Sequence, residues 1–332
     1  MTLKYETAFF IAIAVILSIA AFQRNIVWMN ELTFWRDARD NSLNKARPHT
    51  NLGAALKRKW LIKDAEKEFT IAVRIDPDDH DAVVNLGDIY RINGRLADSL
   101  NVLMNFVKKH PTTPYGRNNL GNVSGDMNLY DNALQEYSIA LKLKPFFPDA
   151  HNNMAVIYKR QGRLIDARRE SAQAVDMIPD NPTYRNNLAL TLIDMGKYKE
   201  ALGELNIVEA MEPKYPDIHI RMARLYFTIG DIIMAENSAR KAIAIQPMDF
   251  KAHVTLGNIY KSTNLDLAIK EYETALAINP DYTEAHYNMA VSLKEMGRHE
   301  EALKHYRKFL ETAPPDEPFR KDAMKHLERL KK

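Results

Sequence analysis

Large apolar, small and polar residues recur along most of the chain with a period of 34 positions. In every repeat the seventh position is Leu or Met, the eighth is Gly or Ala, and the twentieth is Ala or Ser. Small residues let two helices approach closely, while the larger neighbours fill the space between helix pairs. The pattern therefore predicts eight helix pairs, with repeats starting at Ala46, His80, Pro114, Pro148, Pro182, Pro216, Phe250 and Thr283.

Eight prolines mark where the second helix of each predicted pair ends. They are separated by 34 residues at every step except one, which is 33: Pro77, Pro111, Pro145, Pro179, Pro213, Pro247, Pro280 and Pro314. Proline lacks a backbone donor and clashes with the preceding turn, so it stops a helix. In five of the eight predicted pairs a glycine falls where the first helix must turn into the second: Gly94, Gly162, Gly196, Gly230 and Gly297.

These columns resemble the tetratricopeptide repeat (TPR) family over residues 46–315. The resemblance implies an all-α solenoid, a right-handed superhelix of about eight helix-turn-helix repeats. After the last proline, residues 316–332 carry one apolar face, formed by Phe319, Ala323, Met324, Leu327 and Leu330. We expect this segment to be a capping helix, and we expect residues 30–45 to form a half repeat at the other end.

The N-terminal residues 1–29 include a stretch, residues 7–22, of 16 residues without a charge. This length is borderline for a transmembrane helix, but Arg24 can snorkel and Trp28 can lie at the headgroup level. We therefore predict an uncleaved membrane anchor. The alternative is a signal peptide cleaved after Ala20 or Ala21, since Ser18 and Ala20 are small residues at a suitable separation.

The residues after this stretch resemble the junction between the last membrane helix and the TPR array in polytopic membrane proteins of the glycosyltransferase type. The matching residues are Arg24, Asn25, Trp28, Glu31, Trp35 and Asp37. The resemblance implies an inner-membrane protein with its repeats in the periplasm. By the positive-inside rule, the excess of Lys and Arg after the span would instead place the repeats in the cytoplasm. Between these two arguments, we expect the repeats to lie outside the cytoplasm.

Charge and composition restrict the possible functions. Lys and Arg number 46 against 43 Asp and Glu, so the formal charge of +3 does not indicate nucleic-acid binding. The acidic cluster at residues 76–81 is best explained by helix capping. Histidines at the fourth repeat position lie on different helices, which favours packing and interhelical hydrogen bonds over metal binding. We expect no enzyme activity, no metal, no cofactor and no small-molecule substrate.

Asparagine recurs at the sixth repeat position, where the TPR resemblance places the concave groove. In O-GlcNAc transferase a similar ladder holds the backbone of an extended peptide. An amide both donates and accepts hydrogen bonds, as a peptide backbone does. The predicted groove residues are Asn51, Asn85, Asn119, Asn153, Asn187 and Asn288 at the sixth position, Asn118, Asn152 and Asn186 at the fifth, and Arg91, Lys159, Lys261 and Lys294 at the twelfth. In the competing interpretation these amides bind neighbouring helices or water.

The basic residues of this set indicate that the partner is an extended and somewhat acidic protein segment. We therefore predict a membrane-anchored TPR scaffold for protein-protein interaction in an envelope complex. The alternative is an accessory or C-terminal part of an envelope protein O-glycosyltransferase system. A third possibility, a secreted or lipid-free periplasmic assembly factor, differs only in cleavage after Ala20 or Ala21.

Overall fold

The computed structural model describes residues 29–330 together with Ser18 and Phe22. Within these residues eighteen helices are present and no strand is assigned. Helix α1 spans Glu31–Asp40, α18 spans Arg320–Leu330, and eight helix pairs lie between them. The first helices of the pairs, the A helices, are α2 (Ala46–Arg58), α4 (His80–Ile92), α6 (Pro114–Asp126), α8 (Pro148–Arg160), α10 (Pro182–Asp194), α12 (Pro216–Thr228), α14 (Phe250–Tyr260) and α16 (Thr283–Glu295). The second, the B helices, are α3 (Ile62–Ile75), α5 (Leu96–Lys109), α7 (Tyr130–Leu143), α9 (Leu164–Met177), α11 (Tyr198–Met211), α13 (Ile232–Ile245), α15 (Leu265–Ile278) and α17 (His299–Thr312).

The predicted membrane span, residues 7–22, lies outside the described residues except for Ser18 and Phe22. Within the part of the chain that the structure describes, no helix has both the length and the apolar character needed to cross a bilayer.

Every A helix begins at the repeat start that the sequence period predicts. Four of them begin with proline, whose missing donor and fixed φ suit the first helical position. Two others are capped by the preceding side chain: Asp79 accepts from the backbone N–H of Ala82 at 3.0 Å, and Asp249 accepts from that of Lys251 at 2.9 Å. The capping interpretation of the acidic cluster is thus confirmed for Asp79. The neighbouring Asp78 instead binds Lys109 and His110.

The turn inside most pairs requires one residue with a left-handed backbone conformation. In the second pair this residue is Gly94, with φ +73°. In the first pair this position is occupied by Trp60 (φ +57°), and in the third by Asn128 (φ +60°). Asparagine tolerates this conformation, whereas a bulky side chain is strained in it. Trp60 gains little packing in return, because it is 76% exposed.

The chain divides into two compact units, Met1–Glu170 and Ser171–Lys332, and the division falls within α9. In the first unit, a Cβ added at Gly121 would lie 2.5 Å from the Tyr137 ring. In the second, a Cβ at Gly257 would lie equally close to Tyr272. The small eighth position therefore leaves room for a large side chain of the B helix.

Helix α1 covers the first pair in the way predicted for a half repeat. Leu32 and Trp35 pack against a core that contains Phe69. Arg39 on the same helix donates to Glu68 at 2.6 Å.

Candidate binding face of the A helices

The sixth-position asparagines lie half-buried on the A helices, and several bind the neighbouring pair. Asn119 donates to the backbone oxygen of Val84 at 3.2 Å, and Asn153 donates to Asn118 Oδ1 at 3.2 Å. Asn85 donates to Asp81 O one turn earlier, at 2.8 Å. A side-chain amide carries two N–H groups, so one bond does not exhaust its capacity. These amides join adjacent pairs, and their contact with a ligand stays a prediction.

The remaining sixth-position residues lie at the same place on their helices. Asn51 and Asn187 are half-buried on α2 and α10. Asn288 on α16 donates to Asn258 Oδ1 at 3.0 Å.

The fifth-position asparagines lie deeper than the sequence suggested. Asn118 is 6% exposed and Asn152 is 9% exposed, so they support the neighbouring amides more than they face solvent. Asn186 is half-buried, and its Oδ1 has no hydrogen-bond partner in the described residues.

The fourth position joins the two helices of a pair. His49, His151 and His253 contact Glu68, Glu170 and Glu271 at 2.6, 2.8 and 2.7 Å. Arginine replaces histidine in two pairs, Arg117 with Glu136 and Arg185 with Glu204. The interhelical role predicted for these histidines is confirmed. Burial would raise the pKa of Glu170, but His151 and Arg169 outweigh it and hold this pKa below its usual range.

The last pair departs from this arrangement. There His286 faces His305, with 3.0 Å between their Nδ1 atoms. No group of three or more potential metal ligands is found among the residues that the structure describes.

The first unit carries a network of alternating charge across four A helices. Lys57 lies 2.5 Å from Asp88, Asp88 lies 2.9 Å from Arg91, and Arg91 lies 2.9 Å from Asp126. Arg160 follows at 3.9 Å from Asp126. Sequence analysis identified only Arg91 in this network. The signals it missed were Lys57 at the twelfth position and the charges at the ninth and thirteenth positions.

Electrostatics keep this network ionised. Burial would raise the pKa of Asp88, but Lys57 and Arg91 outweigh it and hold this pKa below its usual range. Burial would lower the pKa of Arg91, yet its contacts with Asp126 and Asp88 raise it. Arg91 is thus engaged by the chain's own carboxylates, which weakens its predicted preference for an acidic partner.

A cavity of about 160 Å³ opens beside this network. Arg91, Asp126, Asn153 and Arg160 line it. Its size fits a single short side chain or a few water molecules. Polar groups from three successive A helices converge there.

In the second unit three basic residues of the A helices lack carboxylate partners, although Arg185 pairs with Glu204. Among the described residues, neither Arg221, Arg224 nor Lys261 forms an ion pair, and Arg221 Nε is buried without an acceptor. Arg224 donates only a long hydrogen bond, 3.4 Å, to Thr255 Oγ1. A buried charged donor without an acceptor is costly, so an acceptor from outside would stabilise it.

The other two predicted lysines of the twelfth position have local surroundings of their own. Lys294 Nζ lies 3.3 Å from His326 Nε2 of helix α18. Lys159 is half-buried at the end of α8.

A tyrosine hydroxyl distinguishes the last pair from two others. Tyr137 donates to Asn122 Oδ1 at 2.7 Å, and Tyr272 donates to Asn258 Oδ1 at 2.8 Å. In the last pair the ninth position is valine, and the buried Tyr306 hydroxyl has no partner in the described residues.

Comparison with known proteins identifies the repeat. Models described as TPR repeat match residues 126–162 and 264–297. Models described as tetratricopeptide repeat match residues 61–103, 183–203, 216–248 and 283–316. The chain is a tetratricopeptide repeat protein. The matches fall on the helix pairs that carry the 34-residue period.

Relatives of this TPR protein cover it only in part or at low identity. A peroxisomal targeting signal receptor from Eremothecium gossypii is 28% identical over 100 residues, which are 30% of this chain and 18% of the receptor. A chain in the crystal structure of the APC/C hetero-tetramer Cut9-Hcn1 matches with a TM-score of 0.62 at 17% identity, over 92% of this chain and 63% of that one. A crystal structure of the MamA protein matches 50% of the chain with a TM-score of 0.44 at 22% identity. This TPR protein therefore spans less than two thirds of the first two relatives, and the likeness to solved structures shows the fold alone.

Proposed function

We propose that this TPR protein is a scaffold that binds an extended, acidic segment of a partner protein along its A helices and performs no chemistry. The observation that carries the acidic preference is the contrast between the two units. In the first unit, Asp88 and Asp126 already engage the cations. In the second, Arg221 and Arg224 have no carboxylate partner among the described residues.

The asparagines supply the complementary contact. An extended segment exposes backbone N–H and C=O groups at regular intervals, and amides bind both. Asn187 and Asn288 lie at the sixth position on the same helix face as Arg221. Together these residues would hold the backbone and a side-chain carboxylate of one segment.

The test uses the full-length chain as bait on membrane extracts. The variant Arg221→Ala/Arg224→Ala should capture at least about tenfold less partner than the parent does, because charge-assisted hydrogen bonds contribute about 1.5 to 3 kcal/mol each. The matched control, Lys270→Ala/Lys304→Ala, removes the same charge from exposed positions of B helices. Equal capture by the arginine variant and the parent, measured by quantitative mass spectrometry, would contradict the proposal.

We further propose that residues 7–22 anchor the scaffold in the inner membrane, with the repeats in the periplasm as part of an envelope complex. The uncharged stretch and the junction residues before Trp35 support this location. A reporter that is active only outside the cytoplasm, fused after Lys332, should then be active. A silent reporter together with full protection from protease in spheroplasts would reverse the orientation.

A further inference from the structure

A cavity of about 500 Å³ lies at the last A helix of the second unit. It is bounded by α16 and by the segment that joins α17 to α18. This segment runs from residue 313 to 319, whereas residues 76–79 suffice between the first two pairs. The longer connection places Phe319 against Tyr287, with ring centroids 4.8 Å apart and ring planes inclined by 29°.

The walls of the cavity are aromatic. Tyr282, Tyr287, Phe309 and Phe319 all line it, and Phe319 remains 51% exposed. The face of an aromatic ring is electron-rich and attracts a cation placed over it. Phe309 is only 1% exposed, so the rings of Tyr282, Tyr287 and Phe319 provide the surface that can face a positive group.

Two carboxylates complete the lining, Glu284 and Glu317. Glu284 accepts hydrogen bonds from Tyr282 Oη at 2.9 Å and from Asn258 Nδ2 at 3.3 Å. Neither carboxylate forms an ion pair with any residue that the structure describes. Burial and the charge of Glu284 raise the pKa of Tyr282 to about 12, so this phenol stays a hydrogen-bond donor.

The chain's own cations nearby are directed elsewhere. Arg320 donates to the backbone oxygens of Leu310 and Ala313 at 2.7 and 2.9 Å. Lys294 contacts His326, and Arg224 donates to Thr255 Oγ1. The negative charge of the cavity is therefore not neutralised by an ion pair within the described residues.

We infer that this cavity binds a lysine or arginine side chain of a partner protein, held between the aromatic rings and the carboxylates of Glu284 and Glu317. The cavity is large enough for the whole side chain of either residue. It adjoins the site of the proposed function, because Asn288 lines the cavity as well. The two sites differ in charge, since Arg221 and Arg224 would bind an acidic group. A partner segment that carries both charges would engage both.

The test uses purified full-length protein in detergent and two fluorescein-labelled probes, a heptapeptide with alternating glycine and arginine and its uncharged glutamine counterpart. Fluorescence anisotropy should show binding of the arginine peptide with an affinity at least about tenfold above that of the glutamine peptide. The variant Glu284→Gln/Glu317→Gln should weaken binding of the arginine peptide at least about tenfold. The matched control Glu300→Gln/Glu328→Gln, at exposed positions outside the cavity, should leave it unchanged.

Two further variants separate the contributions. Phe319→Leu keeps an apolar side chain but removes a ring, so it should weaken binding of the arginine peptide about two- to fivefold. Arg224→Ala should strengthen binding of the arginine peptide, because the positive charge of Arg224 acts electrostatically on Tyr282, which lines the cavity. The same substitution should reduce the amount of partner captured in the pull-down above. Because the two assays should change in opposite directions, either proposal can fail while the other holds. Equal binding of the arginine peptide by the glutamine variant and the parent would overturn the inference, and so would equal binding of the two peptides by the parent.

Discussion

The histidine pair of the last repeat should make the protein sensitive to mild acid. In other pairs the residue that faces His49, His151 or His253 is a glutamate. Here it is His305, which faces His286. We therefore choose the substitution His305→Glu, which restores the arrangement found elsewhere in the chain.

The magnitude follows from the pKa of His305. Burial and the neighbouring His286, together with Lys304, lower this pKa to about 4 from an ordinary value of 6.5. Burial also lowers the pKa of His286, and Lys308 acts in the same direction, while Asp281 and the Pro280 carbonyl oppose it. The difference for His305 corresponds to at most about 3 kcal/mol. Because this side chain is only half-buried, we expect about 1 to 2 kcal/mol.

The sign follows from proton linkage. Between about pH 6.5 and pH 4 the unfolded chain binds protons at these histidines more readily than the folded chain does. The folded state thus has its full stability above about pH 6.5 and loses it as the pH falls toward 4. In the His305→Glu variant a carboxylate faces His286 instead, so protonation of His286 is favoured in the folded state and this loss should disappear.

The assay is urea unfolding at pH 7.5 and pH 5.0, followed by circular dichroism. The parent should lose about 1 kcal/mol more between these values than the variant does. The converse substitution Glu271→His builds a second histidine pair opposite His253, and it should add the same sensitivity to the seventh repeat. Identical pH dependence of parent and His305→Glu would refute the reasoning, as would an unaltered profile for Glu271→His.

Three further predictions concern stability and are checked by thermal melting and urea unfolding. Val291→Asn should give the buried Tyr306 hydroxyl an acceptor and raise the free energy of unfolding by about 1 kcal/mol; no gain would mean that the hydroxyl is satisfied otherwise. Trp60→Asn should raise it by up to about 1 to 2 kcal/mol by relieving the left-handed strain, and a lower melting temperature would show that the indole packs. Gly121→Ala should cost about 1 to 3 kcal/mol, whereas Gly203→Ala, where a Cβ meets nothing within 4 Å, should stabilise; equal effects would contradict the packing argument.

The sequence alone determined the helical repeat and its boundaries. Helices start where the period places them because proline, the small eighth position and the capping residues act over a few neighbouring positions. Pro114 begins α6, and the small residue Gly121 faces the large Tyr137 ring of the same pair. Such preferences are local, so they can be read from residue type and spacing.

The tertiary structure alone decided which polar residues are engaged. Arg91 and Asp126 are 35 positions apart, and their contact depends on how one pair stacks on the next. Asn118 and Asn119 are adjacent and chemically identical, yet Asn118 is buried and Asn119 is only half-buried, because consecutive positions lie on different sides of a helix. The aromatic cavity likewise depends on a longer connection that turns Phe319 back onto Tyr287. Contacts between pairs depend on the angle and offset between helices, which residue type and spacing do not encode.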